Sequence, residues 1–221
     1  MVNTATDIPT YWDRYAQGVA PQQDAEALAD AFGWTQYPHH GPGVELLDAA
    51  DSALELGCGR GNAVAALAHQ GAKATGVDLS TVQIDQARQR WEPLGAQFVH
   101  ADAVEFLTGA AQRWEAIYSI WGAAWFTDPD VLFPLVHERL EPGGRFVFSC
   151  APAVPGSYGV QGMYGAGFTG RQVWVYRWAY ETGVWEDILT RHGFTQVQVW
   201  EEPAPEADHV GTVMGIAHRS G

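Results

Sequence analysis

An α/β fold, with a mostly parallel sheet covered by helices on both faces, is the architecture this sequence predicts. Three observations carry it. Short apolar runs alternate with helix-patterned stretches from residue 52 onward. The first run, Ala53-Leu-Glu-Leu56, enters a turn with glycines at 57, 59 and 61, and acidic residues, Asp78 and Asp102, stand where the next two runs end.

The elements follow in order. Residues 8–15 open with a proline and a threonine cap, and residues 24–32 form a helical stretch ending at Gly33. Tyr37-Pro-His-His-Gly-Pro-Gly43 breaks the chain before a short helix from Val44. Strand 53–56 then leads to a helix at 62–70 closed by Gly71, strand 74–77, helix 80–91, strand 96–100, a helix at 103–109, strand 116–120 and helix 129–140. Pro142-Gly143-Gly144 reads as the turn into strand 145–149. Residues 151–170, with glycines at 156, 159, 162, 165, 167 and 170 among Tyr158, Met163, Tyr164 and Phe168, are too glycine-rich for a regular element and read as a loop. A helix near 185–191 ends at Gly193, and runs at 195–200 and 210–217 supply two last strands paired antiparallel at the sheet edge, making seven in all. Residues 1–48 are thus an N-terminal helical cap contributing to a substrate pocket, and 49–221 a core with a glycine-rich lid inserted at about 151–180.

Composition narrows the function. The chain has 221 residues, 12 Lys and Arg against 26 Asp and Glu, and a net charge of −14, which argues against nucleic acid or an anionic membrane as partner and favours a cationic or neutral small molecule. Two distant cysteines fit neither a disulfide framework nor a zinc pattern, so no metal is expected. The first thirty residues lack the basic start and apolar stretch of a signal peptide, so a cytoplasmic setting is expected. Of the ten tryptophans, Trp12, Trp34, Trp121 and Trp125 lie where core filling alone does not demand them.

Three glycines in G-x-G-x-G spacing let a strand-to-helix turn approach a ligand closely, and Asp78 and Asp102 suit a ribose diol and an exocyclic amine, while each also stands where a following helix wants a cap. Leu54-Glu-Leu-Gly-Cys-Gly-Arg-Gly61, Gly76-Val-Asp-Leu-Ser80, His100-Ala-Asp-Ala103 and Leu140-Glu-Pro-Gly-Gly-Arg-Phe-Val-Phe-Ser149 together resemble the class I S-adenosylmethionine (SAM) dependent methyltransferases, in their small-molecule, natural-product tailoring branch. The resemblance implies a Rossmann-like sheet, SAM as cofactor with S-adenosylhomocysteine (SAH) as product, and a small-molecule or short-peptide methyl acceptor. It places Glu55, Gly57, Gly59 and Gly61 around the methionyl part, Asp78 on the ribose, Leu79, Asp102 and Ala103 at the adenine, and Ser119 beside the methionyl moiety, with Tyr11 and Tyr15 as aromatic lids. His39 and His40, in the loop before the first strand, are the candidate bases, and Trp121 and Trp125, after the fourth, the candidate acceptor contacts. His137 reads as exposed on its helix, and His69 and His192 as helix-end residues. Two alternatives stay open: an NAD(P)-dependent oxidoreductase, against which Asn62 stands in the place of a third fingerprint glycine, and a non-catalytic SAM-binding protein.

Overall fold

A computed structural model describes residues 7–18, 22–164 and 173–221. Helices α1 (Asp7–Gly18) and α2 (Asp24–Ala29) precede a single 3-10 turn at Val44–Leu47, where a short helix is expected from the sequence. The alternation then runs β1 (Ser52–Leu56), α3 (Asn62–His69), β2 (Lys73–Asp78), α4 (Thr81–Trp91), β3 (Gln97–His100), α5 (Ala103–Gly109), β4 (Trp114–Ile120), α6 (Ala123–Phe126), α7 (Pro129–Arg139) and β5 (Leu140–Cys150). A hairpin of β6 (Gly159–Tyr164) and β7 (Trp174–Ala179) follows, then α8 (Thr182–Arg191), β8 (Thr195–Glu202) and β9 (Thr212–His218).

Seven strands form one sheet in the order β3-β2-β1-β4-β5-β9-β8, parallel except where β9 inserts antiparallel between β5 and β8. Side-chain alternation splits the interior into two cores. Leu54, Leu56, Phe146 and Phe148 face one way, against Leu107 of α5, Phe133 and Val136 of α7 and Trp185 of α8. Ala53, Ala116 and Val147 face the other, against Val64 of α3, Ile84 and Trp91 of α4 and Trp34. Strand order reverses between β1 and β4, so a crevice opens above their carboxyl ends.

Some expectations are corrected. Residues 159–164 are not irregular: they pair with β7 in full register, Gly159 opposite Ala179 through Tyr164 opposite Trp174, because Gly162 leaves room for the Trp174 ring. Residues 165–170 of the expected loop lie outside the described residues. Pro142-Gly143-Gly144 does not separate α7 from β5. Leu140 already pairs with Trp114, the register slips before Ala116 pairs with Arg145, and the glycines bulge against the C-terminal segment, where Gly143 N–H donates to Arg219 O (3.0 Å). His137 is half-buried, its ring edge-on to Phe194 at 5.1 Å, rather than exposed. His192 stands at the C-cap of α8, the helix-end place expected of it, and its Nε2 also meets Asp130 Oδ1 at 2.7 Å.

Gly61 shows why this turn requires glycine. Its φ of +72° is left-handed, and a Cβ there would lie 2.3 Å from Cε1 of the buried Phe98 ring. Gly61→Ala is therefore expected to cost about 2–4 kcal/mol of folding stability, read as a lowered denaturation midpoint, and a wild-type midpoint would contradict this packing.

Candidate active site

The crevice is a cavity of about 530 Å³ at the carboxyl ends of β1, β2, β3 and β4. Its floor is backbone against backbone. Gly57, at φ +78°, faces Gly122: a Cβ on the first would lie 2.6 Å from Ala123 N, and one on the second 2.5 Å from Leu56 O. The turns after β1 and β4 meet this closely because neither residue has a side chain.

Asp78 holds the glycine turn in place. Gly59 N–H donates to Asp78 Oδ2 and Ser80 N–H to Asp78 Oδ1, both at 2.8 Å, so one carboxylate ties the turn after β1 to the turn after β2. Ser80, rather than Asp78, caps α4 by accepting from Gln83 N–H (3.1 Å). Asp102 caps α5, its Oδ1 accepting from Val104 and Glu105 N–H, which leaves Oδ2 for a donor in the cavity.

Helix α1 crosses above the cavity. Asp13 Oδ1 accepts from Ser80 Oγ (2.6 Å) and Val82 N–H (3.2 Å), Arg60 Nη2 donates to Ala16 O (3.3 Å), and Trp12 packs edge-on to Phe126 at 4.8 Å. The helix is thereby fastened on the β2 side by polar contacts and on the β4 side by rings.

Of the residues singled out in the sequence, Trp12, Tyr15, Glu55, Gly57, Gly59, Asp78, Leu79, Asp102, Ala103 and Trp121 line the cavity. The others stand behind it. Gly61 supports the turn from below. Ser119 Oγ donates to Leu56 O (2.8 Å) and accepts from Ala124 N–H (3.1 Å), a tie between the ends of β1 and β4. Trp125 packs edge-on to Trp121 at 5.5 Å, with the Arg177 guanidinium 5.5 Å from its ring. Tyr11 packs against Trp12. His40 Nε2 donates to Pro203 O at 2.7 Å, which turns it toward the β8–β9 connection. His39 is exposed, its Nδ1 2.9 Å from Oδ1 of Asp30, and Asp30 does line the cavity. Trp34 is core, its indole N–H donating to Gly43 O.

Sequence reasoning missed Asp30, Asn62, Gln83, Phe126, Tyr176 and Trp178, all lining residues. Asn62 and Gln83 carried a usable signal, as the residues directly after the glycine turn and in the first turn of α4. The others reach the cavity from α2, α6 and β7 only through tertiary packing.

The electrostatics are one-sided. Burial first, then the Asp78 charge, pushes the Glu55 carboxyl well above the ordinary carboxylate range. Burial likewise raises Asp78, against the lowering pull of the Ser80 and Gly59 amides. Burial and the same two carboxylates push the Cys58 thiol up. Glu55 Oε2, Asn62 Oδ1 and Gln83 Oε1 are buried without a hydrogen-bond partner, three orphaned acceptors at one cavity. Buried acceptors are ordinarily satisfied, so their grouping points to a ligand that brings donors and positive charge.

The raised Glu55 carboxyl has a consequence for the protein alone. A carboxyl raised on folding loses stability as pH rises through its unfolded value, because ionisation is easier in the unfolded chain. Glu55→Gln is expected to raise the stability of the ligand-free protein by about 1–3 kcal/mol near neutral pH, with the gain over wild type growing from pH 5 to 8 in thermal unfolding. A variant less stable than wild type throughout that range would contradict this.

With this geometry in hand, residues 53–144 match the family described as methyltransferase domain. A trans-aconitate 2-methyltransferase of Paracidovorax citrulli is 33% identical over 100 residues, 44% of this chain and 38% of that protein. A ubiquinone biosynthesis O-methyltransferase of Coxiella burnetii is 36% identical over 98 residues, 43% of this chain and 42% of that protein. The chain thus spans about two fifths of the length of the curated relatives it matches. Among solved structures, the Burkholderia thailandensis 1,6-didemethyltoxoflavin-N1-methyltransferase, with its acceptor and SAH bound, superposes with a TM-score of 0.65 at 18% identity, covering 100% of this chain and 92% of that one. Residues 53–144 match the methyltransferase domain, and over its whole length the chain shares the fold of that SAH-bound N1-methyltransferase.

Proposed function

We propose that this protein binds SAM in the cavity and transfers its methyl group to a nitrogen, oxygen or carbon atom of a small molecule or short peptide, releasing SAH, in a natural-product tailoring step. One observation supports the cofactor most strongly: Glu55, Asn62 and Gln83 present three unpartnered buried acceptors where the glycine turn opens. SAM carries an ammonium, a sulfonium and ribose hydroxyls, donors and charge that complement these three acceptors. A cavity of about 530 Å³ also falls within the roughly 300–1,000 Å³ of small-molecule pockets.

In this reading the Gly57–Gly61 turn takes the methionyl part, with Glu55 compensating positive charge. Asp78, whose two oxygens each accept one backbone amide, retains lone pairs for the ribose diol. Leu79 lies against the adenine, Asp102 Oδ2 accepts from its amino group, and the Ala103 amide meets a ring nitrogen. Tyr15 closes over the cofactor from α1, with Tyr11 behind it. SAM, when bound, supplies an electrophilic methyl carbon on a sulfonium. The protein's contributions are alignment of the acceptor, exclusion of water and removal of a proton from an N–H or O–H acceptor. Trp121 contacts the acceptor and Trp125 holds Trp121, while His39, beside Asp30, offers a route for that proton to solvent. His40 is held at Pro203 instead, and Ser119 acts by tying the end of β1 to the end of β4. The described residues of the 1–48 segment cap the acceptor, and those of the 151–180 segment, β6 and β7 among them, form the lid.

The trans-aconitate named for one relative and the 1,6-didemethyltoxoflavin bound in the solved neighbour are small molecules, which supports an acceptor of that class. The net charge of −14 supports the absence of nucleic acid among its partners. Among the described residues no helix is long and apolar enough to cross a membrane, and a cytoplasmic setting suits two buried free thiols.

Calorimetry tests the cofactor. SAM is expected to bind, NAD not, and Asp78→Ala to weaken SAM by about 10- to 100-fold. Because burial raises Glu55 and Asp78, a bound cation should pull both toward ionisation. Binding is then expected to release protons, read from enthalpies in buffers of different ionisation heat, and affinity to fall as pH drops from 7 toward 5. NAD binding without SAM binding would overturn the reading. SAM binding without methyl transfer to any of a panel of amines, phenols and carboxylates would reduce the protein to a SAM binder.

A further inference from the structure

The acceptor half of the cavity has a composition of its own. Trp12 from α1, Trp121 and Phe126 after β4, and Tyr176 and Trp178 from β7 put rings around it from three separate elements. These rings are held. Trp121 keeps a left-handed backbone at φ +50°, with its N–H donating to Ser149 O (3.2 Å) and its indole N–H to Trp34 O (2.8 Å). A non-glycine residue holds that conformation only when its surroundings fix it. Trp12 is braced by Phe126.

Charge on the lining of the cavity as a whole is unbalanced. Its described side chains include the carboxyl groups of Asp30, Glu55, Asp78 and Asp102 and a single cation, Arg60, which reaches up to Ala16 O of α1. Glu55, Asp78 and Asp102 belong to the strand ends, where the cofactor reading uses them. Asp30 does not. It sits at the end of α2, four residues before Trp34, whose carbonyl takes the Trp121 indole N–H, and it lines the cavity with Trp121. Its described ion-pair partner, His39, is exposed. Aromatic faces attract cations, a carboxylate attracts them further, and both repel an anion.

We propose that the acceptor is a flat nitrogen base, its ring held among Trp12, Trp121 and Tyr176 and its N–H or ammonium group hydrogen-bonded by Asp30, and that carboxylate acceptors are rejected. The inference rests on the methyltransferase reading for the word acceptor, but concerns recognition only. It makes Asp30 a binding residue that decides between amine and acid.

Isothermal calorimetry with matched pairs tests it: tryptamine against indole-3-propionate, and 4-aminoquinoline against quinoline-4-carboxylate, each with the protein alone and saturated with SAH. The amine of each pair is expected to bind at least about tenfold more tightly than its acid. Asp30→Asn should bring the two within about threefold, and Asp30→Glu, which keeps the charge, should retain the preference. Neither variant should change SAH affinity or the thermal midpoint. Acids binding as well as amines, a preference that survives Asp30→Asn, or no member of either pair binding would overturn the proposal. Failure of SAH itself to bind would overturn the cofactor reading, and the amine–acid comparison on the protein alone would still decide this one.

Discussion

The two hydrogen bonds from Gly59 and Ser80 to the Asp78 carboxylate are the constraint on which the site depends. The sheet brings the turns after β1 and β2 side by side, and Gly57 and Cys58 N–H still donate to Val77 O (2.8 and 3.0 Å), but the next amide, that of Gly59, is taken by the Asp78 side chain. Asp78 supplies the missing link. It orders the glycine turn on one side and, through Ser80, the start of α4 on the other. Asp13 then uses Ser80 and Val82 to bring α1 across the opening. Removal of that carboxylate reaches the turn, the helix start and the cap together, whatever it does to a ligand.

The cost of the arrangement is electrostatic. Burying Glu55 beside Asp78 raises both carboxyl groups, and the Ser80 and Gly59 amides and the His100 ring offset that burial only in part at Asp78. Unlike a structural ion pair, such an arrangement is completed from outside. The fold places this electrostatic cost at the switch point, where Gly57 and Gly122 let two backbones approach.

How much of this was legible in the sequence follows from the range of the interactions. Gly57, Gly59 and Gly61 were legible because the turn needs left-handed backbone at all three, and the structure has it at all three. The Asp102 cap was legible because capping reaches only two or three residues along the chain. The β6 strand was not: its glycines read as irregular, and only pairing with β7 makes them a strand. Asp30 and Tyr176 carry no local mark of their position, since α2 and β7 arrive at the cavity through packing. His40 illustrates the converse. Its sequence context suits a base, yet a carbonyl 163 residues away, that of Pro203, claims its ring nitrogen.

A crystal structure with SAH bound examines the central claim most directly. The ribose diol should lie on Asp78, the adenine amino group on Asp102 Oδ2, and the homocysteine ammonium among Glu55, Asn62 and Gln83, with the sulfur facing Trp121 and the side of the cavity that holds Asp30. SAH lodged elsewhere, or in this cavity with those three acceptors still unpartnered, would contradict the account.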